Sequence, residues 1–97
     1  MKTTETHDQA LVKEECHSFD GTDLTYRLTV SISEVVASYK LPLYSIEVVM
    51  KDSDGSVTKA SCIDAFADIG RALVFFDKIV RYNVTPIDLA YVYEDEL

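Results

Sequence analysis

Cys16 and His17 are neighbours in the chain, and an imidazole close to a thiol is the arrangement that generates a nucleophilic thiolate. Adjacent residues of a strand point to opposite faces, however. If this segment is extended the two side chains cannot meet, which favours a structural or surface role for both. Cys62 comes just before the predicted start of a helix, where the positive end of the macrodipole would lower a thiol pKa. The competing reading is a small buried hydrophobe sharing a strand face with Ala60, since free cysteine is among the most buried residue types. His7, Cys16, His17 and Cys62 lack any standard ligand spacing, so no metal site is expected. Asp52, Asp54 and Gly55 form part of a calcium loop without the ligands and glutamate that complete one, and a hairpin turn explains them. There is no GxGxxG, P-loop, GxSxG or HExxH, so no cofactor is expected.

The side of the predicted helix that faces away from its apolar stripe is the other feature that stands out. Arg71, Lys78 and Arg81 collect there with Val74, Phe75 and Tyr82, in a chain that is otherwise strongly acidic. Arginine and aromatic residues are enriched in interfaces. Arg71, Val74, Phe75, Lys78 and Tyr82 are therefore the candidate interaction surface, for an acidic partner or a second copy of the chain. The plainer alternative packs Phe75 and Tyr82 against neighbouring loops and leaves the cations to solubilise the helix.

The elements that position these residues follow from periodicity. Residues 1–9 are polar and aperiodic, which predicts a flexible tail ahead of one domain over 10–97. A first strand from Ala10 ends at Asp20-Gly21, a dipeptide suited to the positive φ angles of a tight hairpin. Leu24, Tyr26, Leu28, Val30 and Ile32 then alternate with threonines, serines and Arg27, predicting a strand with one buried and one wet face. Glu34 to Pro42 has no clean period and reads as a loop or single turn. Tyr44, Ile46, Val48 and Met50 restore the alternation, Asp52-Ser53-Asp54-Gly55 turns the chain, and Val57 to Ile63 returns as the partner strand.

Asp64 is placed to cap a helix running from Ala65 to about Tyr82. Ala65, Phe66, Ile69, Ala72, Leu73, Phe76, Ile79 and Val80 fall on one side of it. Asn83 suits a left-handed cap and Pro86 stops the helix. Ile87, Leu89, Tyr91 and Tyr93 alternate as a final strand would, and aromatic and β-branched residues favour that reading. Thr85-Pro86-Ile87-Asp88 equally suits the start of a short helix. The expected fold is thus α+β in two layers, an antiparallel sheet of four to five strands with one amphipathic helix on one face, in the order β-β-β-β-α-β. One helix covers only part of such a sheet. The rest, around Tyr44, Met50 or the C-terminal tyrosines, would be closed by the segment from Val35 to Leu41 or by a second chain.

Composition bounds the function. With 97 residues and 47% of them hydrophobic, the chain is sized for a single core. Seventeen acidic residues against nine basic ones give a net charge of −8, which repels nucleic acid and anionic membrane surfaces. The longest strictly apolar run is Ala72 to Phe76, too short to span a bilayer. The charged first residues lack the apolar core of a signal peptide, and two cysteines without CxxC spacing suit a reducing compartment. The cytoplasm is the expected location.

From Leu24 to Leu97, about three quarters of the chain, the order of features resembles an uncharacterised family of short Gram-positive bacterial proteins known only as a domain of unknown function. Leu24-Thr25-Tyr26, Tyr44-Ser45-Ile46-Glu47, the helix after Asp64, Val84-Thr85-Pro86 and the ending Glu94-Asp95-Glu96-Leu97 carry the resemblance. The chain departs from that pattern at Ser45, where glycine is frequent, and at Tyr91, Val92 and Tyr93, where valines precede the acidic ending. The resemblance implies a bacterial protein and no activity, cofactor or catalytic residue. The expected function is a non-catalytic protein–protein interaction module, with self-association as one form of it. The alternative is a small enzyme or ligand-binding domain that uses Cys62, or Cys16 with His17.

Overall fold

The computed structural model describes residues 9–36 and 39–96. Four strands, β1 (Ala10–Phe19), β2 (Thr22–Val36), β3 (Tyr39–Lys51) and β4 (Val57–Phe66), are followed by two helices, α1 (Ile69–Arg81) and α2 (Pro86–Glu94). The strands form an antiparallel meander in the order β1-β2-β3-β4, each pairing with its neighbour in sequence. Both helices pack on one face of this open sheet, giving the two-layer α+β architecture. The predicted tail falls on residues outside those described, apart from the exposed Gln9.

The period-two pattern places Leu24, Tyr26 and Leu28 of β2 and Ile46 and Val48 of β3 on the covered face, all fully buried. Phe66, Ala72, Phe75, Phe76, Ile79, Val84 and Leu89 complete the core. Turn chemistry fixes the register. Asp20 and Gly21 adopt φ values of 51° and 77°, the two positive angles that a two-residue hairpin between Phe19 and Thr22 requires. In the β3–β4 turn the Gly55 N–H donates to the Asp52 carbonyl at 2.9 Å, with Gly55 at φ 90°.

Four expectations need correcting. Of the segment from Glu34 to Pro42, expected as a loop or single turn, residues 34–36 belong to β2 and residues 39–42 to β3. Pro42, opposite Ile32, lies beyond the last residue paired with β4, where β3 is an edge, and an edge is where a residue without an N–H is tolerated.

The helix begins at Ile69, not Ala65, and its cap is Asp68, whose Oδ2 accepts from the Arg71 N–H at 3.1 Å. Asp64 belongs to β4. Between Ile46↔Cys62 and Tyr44↔Phe66, β3 advances two residues and β4 four, so β4 bulges around Asp64. There Asp64 takes a left-handed φ of 52°, which aspartate tolerates better than most residues, and its N–H donates to Ser45 Oγ at 2.9 Å. The bulge turns Phe66 back into the core. Asp68→Ala should therefore cost about 1 kcal/mol through loss of the cap, while Asp64→Gly, which relieves the positive φ, should stay within about 0.5 kcal/mol of the parent; thermal denaturation of the two variants checks the assignment.

The segment over 87–94 is a helix, so among the described residues the sheet has four strands and the order is β-β-β-β-α-α. Thr85 stands at the cap with Pro86 behind it, the helical position at which a missing N–H leaves nothing unpaired. Apolar residues at nearly every position had offered strand-like alternation, yet Pro86 and Leu89 are buried while Val92 and Tyr93 pack against the core, the spacing of one helix face. α2 lies over β4 and β3, so this second helix covers the sheet area that one helix left open.

The fourth correction is Phe75, which is 1% exposed. Its ring lies tilted against Phe66 and edge-on to Tyr93, at 5.3 and 5.9 Å between centroids. α1 ends as expected at Asn83, left-handed at φ 51°. The Asn83 N–H donates to the Val80 carbonyl and the Val84 N–H to the Ile79 carbonyl, the bond pair of a Schellman motif.

Candidate interaction surface

The thiol and imidazole candidates separate. Cys16 pairs with Thr25 on the uncovered sheet face, with its Sγ 3.8 Å from the threonine Oγ1. His17 faces the helices, edge-on to the Tyr26 ring at 6.0 Å, and its Nδ1 is 2.9 Å from Asn83 Oδ1. Tyr26 donates its hydroxyl to the Val84 carbonyl at 3.0 Å. These two contacts tie β1 and β2 to the turn that ends α1.

Cys62 packs against the core opposite Ile46, on the covered face of the sheet, as does Ala60. It is seven residues before α1, beyond the reach of the helix dipole, which corrects its expected place at a helix start. Burial pushes its thiol pKa up. An alkylating reagent at neutral pH should accordingly modify the exposed Cys16 well before Cys62 in the folded protein, an order that mass spectrometry of timed aliquots reads directly. Asp54 accepts from the Ser56 hydroxyl at 2.7 Å and its N–H at 2.9 Å, and these bonds hold its carboxyl below the ordinary range. The turn thus uses the carboxylate for its own closure. Among the described residues no three histidine, cysteine, aspartate or glutamate side chains gather where a metal could be held.

Of the five residues expected on the outward helix face, Arg71, Val74, Lys78 and Tyr82 are there and Phe75 is not. Arg71, Val74, Lys78 and Arg81 follow one another at spacings of three and four along α1, opposite the buried Ala72, Phe75, Phe76 and Ile79. Val74, Asp77, Lys78, Arg81 and Tyr82 line an open depression of about 400 Å³. Val74 and Tyr82 are 68% and 67% exposed. Asp77 reaches sideways to Lys13 of β1 at 3.3 Å, and Lys13 also lies over the Phe76 ring.

α2 supplies residues that sequence reasoning missed. Ile87 and Tyr91, one turn apart, are 70% and 68% exposed, because Leu89, Val92 and Tyr93 take the side facing the sheet. Their spacing of four was visible once Thr85-Pro86 was read as a helix start. The two helices carry opposite charge. α1 has Arg71, Lys78 and Arg81 against Asp77, whereas α2 and the turn after it have Asp88, Glu94, Asp95 and Glu96 and no basic residue. Lys78 bridges them by donating to Glu96 at 2.8 Å. That hydrogen bond, with the charges of Glu96 and Asp95 behind it, holds the Lys78 pKa above its ordinary value.

The uncovered sheet face is polar at its centre. Arg27 donates to Glu14 at 2.6 Å and Glu47 at 3.0 Å, its pKa raised first by the bond to Glu14 and then by that to Glu47, and Thr25, Thr29 and Ser61 surround it. Leu11, Val57 and Ile63 are exposed but sit on the two outer strands, with β2 and β3 between β1 and β4, so they form no common patch. No helix among the described residues is long and apolar enough to cross a membrane. No protein-family model, no curated protein and no solved structure matches the chain.

Proposed function

We propose that this chain is a non-catalytic protein-binding module whose binding face is the outward side of the α1–α2 layer. The observation that carries the reading is that each helix, having already buried one face in the core, holds out a further pair of large apolar residues, Val74 with Tyr82 and Ile87 with Tyr91. Single exposed apolar residues are ordinary, but paired ones on two helices of one layer, flanked by Arg71, Lys78 and Arg81, have the aromatic and arginine character of interface cores. The net charge of −8 turns such a surface toward proteins and away from nucleic acid. Two unpaired cysteines on opposite sides of the sheet suit the reducing cytoplasm.

A photo-crosslinking amino acid at Val74 or Tyr91 tests this in cells producing the protein, with Thr29 on the polar sheet face as control. A discrete adduct from the helix positions and none from Thr29 is expected. Absence of an adduct from Val74 and Tyr91, or equal labelling from Thr29, would overturn the reading.

A further inference from the structure

We infer that the partner of this face is a second copy of the chain, docked about a two-fold axis so that α1 of each protomer lies against α2 of the other. The inference rests on the reading of the helix layer as the binding face and adds to it the identity of the occupant. Charge selects that occupant. An isologous contact brings a surface against itself, and a face of a single sign would repel its copy. Here the face is divided, with Arg71 and Arg81 on α1 and Glu94 and Asp95 after Tyr91 on α2. A two-fold operation that exchanges the helices sets cations against carboxylates twice over. Val74 and Tyr82 then meet Ile87 and Tyr91, apolar side to apolar side.

The other routes to self-association are obstructed within the fold. Pairing of sheets edge to edge needs a flat free strand, but β1 carries a bulge at Val12 and the charges Lys13, Glu14 and Glu15, β4 carries Lys59 and bulges at Asp64, and the edge of β3 beyond the last β4 pair carries Pro42. Bulges and charges are the devices by which edge strands avoid one another. Stacking through the open sheet face would bury the Arg27, Glu14 and Glu47 network, at a desolvation cost that like-for-like packing does not return.

Size and charge set the strength. Helices of 13 and 9 residues are about 20 and 14 Å long, so the two side by side offer less than the roughly 800 Å² per partner of a standard interface. The net charge of −8 opposes approach at long range, although screening over about 8 Å at physiological salt weakens that repulsion more than it weakens contact pairs. The dimer is therefore a dissociable one.

Sedimentation velocity from micromolar to millimolar protein should show a reversible monomer–dimer equilibrium. Arg71→Glu with Arg81→Glu, and separately Glu94→Lys with Asp95→Lys, should each weaken self-association by at least about tenfold, because each sets like charges opposite one another at both helix contacts. An equimolar mixture of the two variants should dimerise again, since each contact between positions 71 and 81 of one chain and 94 and 95 of the other then sets cations against carboxylates; two misfolded chains would not do so. A wild type that stays monomeric throughout, variants that associate like the wild type, or a mixture that stays monomeric would each overturn the inference. If the wild type is monomeric yet Val74 or Tyr91 crosslinks to a protein of another mass, the second-copy inference falls and the binding-face reading stands. Loss of both signals removes both.

Discussion

Phe75→Ala is expected to lower folding stability by about 3–5 kcal/mol, while Val74→Ala, one position earlier on the same helix, changes it by less than about 0.5 kcal/mol. The difference comes from where the two side chains end. Phe75 is 1% exposed and closes an aromatic cluster with Phe66 and Tyr93, so truncation removes apolar contact and leaves a cavity between helix and sheet. Val74 is 68% exposed and leaves none. Domains of this size have roughly 5–15 kcal/mol to lose, so the Phe75 variant should unfold early in a urea titration that barely separates Val74→Ala from the parent. Equal midpoints for the two variants would mean that α1 presents a different face to the sheet.

Tyr26→Phe carries the second large effect. The Tyr26 hydroxyl is buried and donates to the Val84 carbonyl at 3.0 Å. Removing it leaves that carbonyl unpaired beside the turn after α1, at a cost of about 1–3 kcal/mol. The same burial pushes the Tyr26 pKa from 10.0 up to about 12. Below pH 10 the phenol is protonated in both the folded and the unfolded chain, and its contribution is whole. As pH rises from 10 to about 12 the unfolded chain releases the proton while the folded one keeps it, so stability falls with increasing pH. Denaturation measured across that window should show a shallower decline in Tyr26→Phe than in the parent.

Much of the sheet was legible because its information is local. Alternation in Leu24 to Leu28 and in Tyr44 to Met50 names the buried face, and Asp20-Gly21 and Asp52 to Gly55 name the turns that join β1 to β2 and β3 to β4. Asn83 marked the end of α1 for the same reason. The start of α1 was not legible. Asp64 and Asp68 are equally good caps in sequence, and what assigns Asp64 to the sheet is a hydrogen bond from its N–H to Ser45, nineteen residues earlier. The candidate surface moved for another reason. Counting Leu73 and Val80, which are only half-buried, into the apolar stripe centres it roughly 60° round the wheel from the arc of Ala72, Phe75, Phe76 and Ile79, which is why Phe75 seemed to face outward. α2 stayed hidden because apolar residues on both of its sides erase the period by which a helix is recognised.

The four strands precede both helices in the chain, and this fixes what a ribosome releases first. Every strand pairs with its predecessor, so the sheet can assemble as it emerges, by short-range contacts that close quickly. Its apolar face, with Leu24, Tyr26, Leu28, Ile46 and Val48, then waits bare until α1 and α2 have cleared the exit tunnel. During that interval the nascent chain is a half-covered sheet, the kind of species that aggregates or is held by a chaperone.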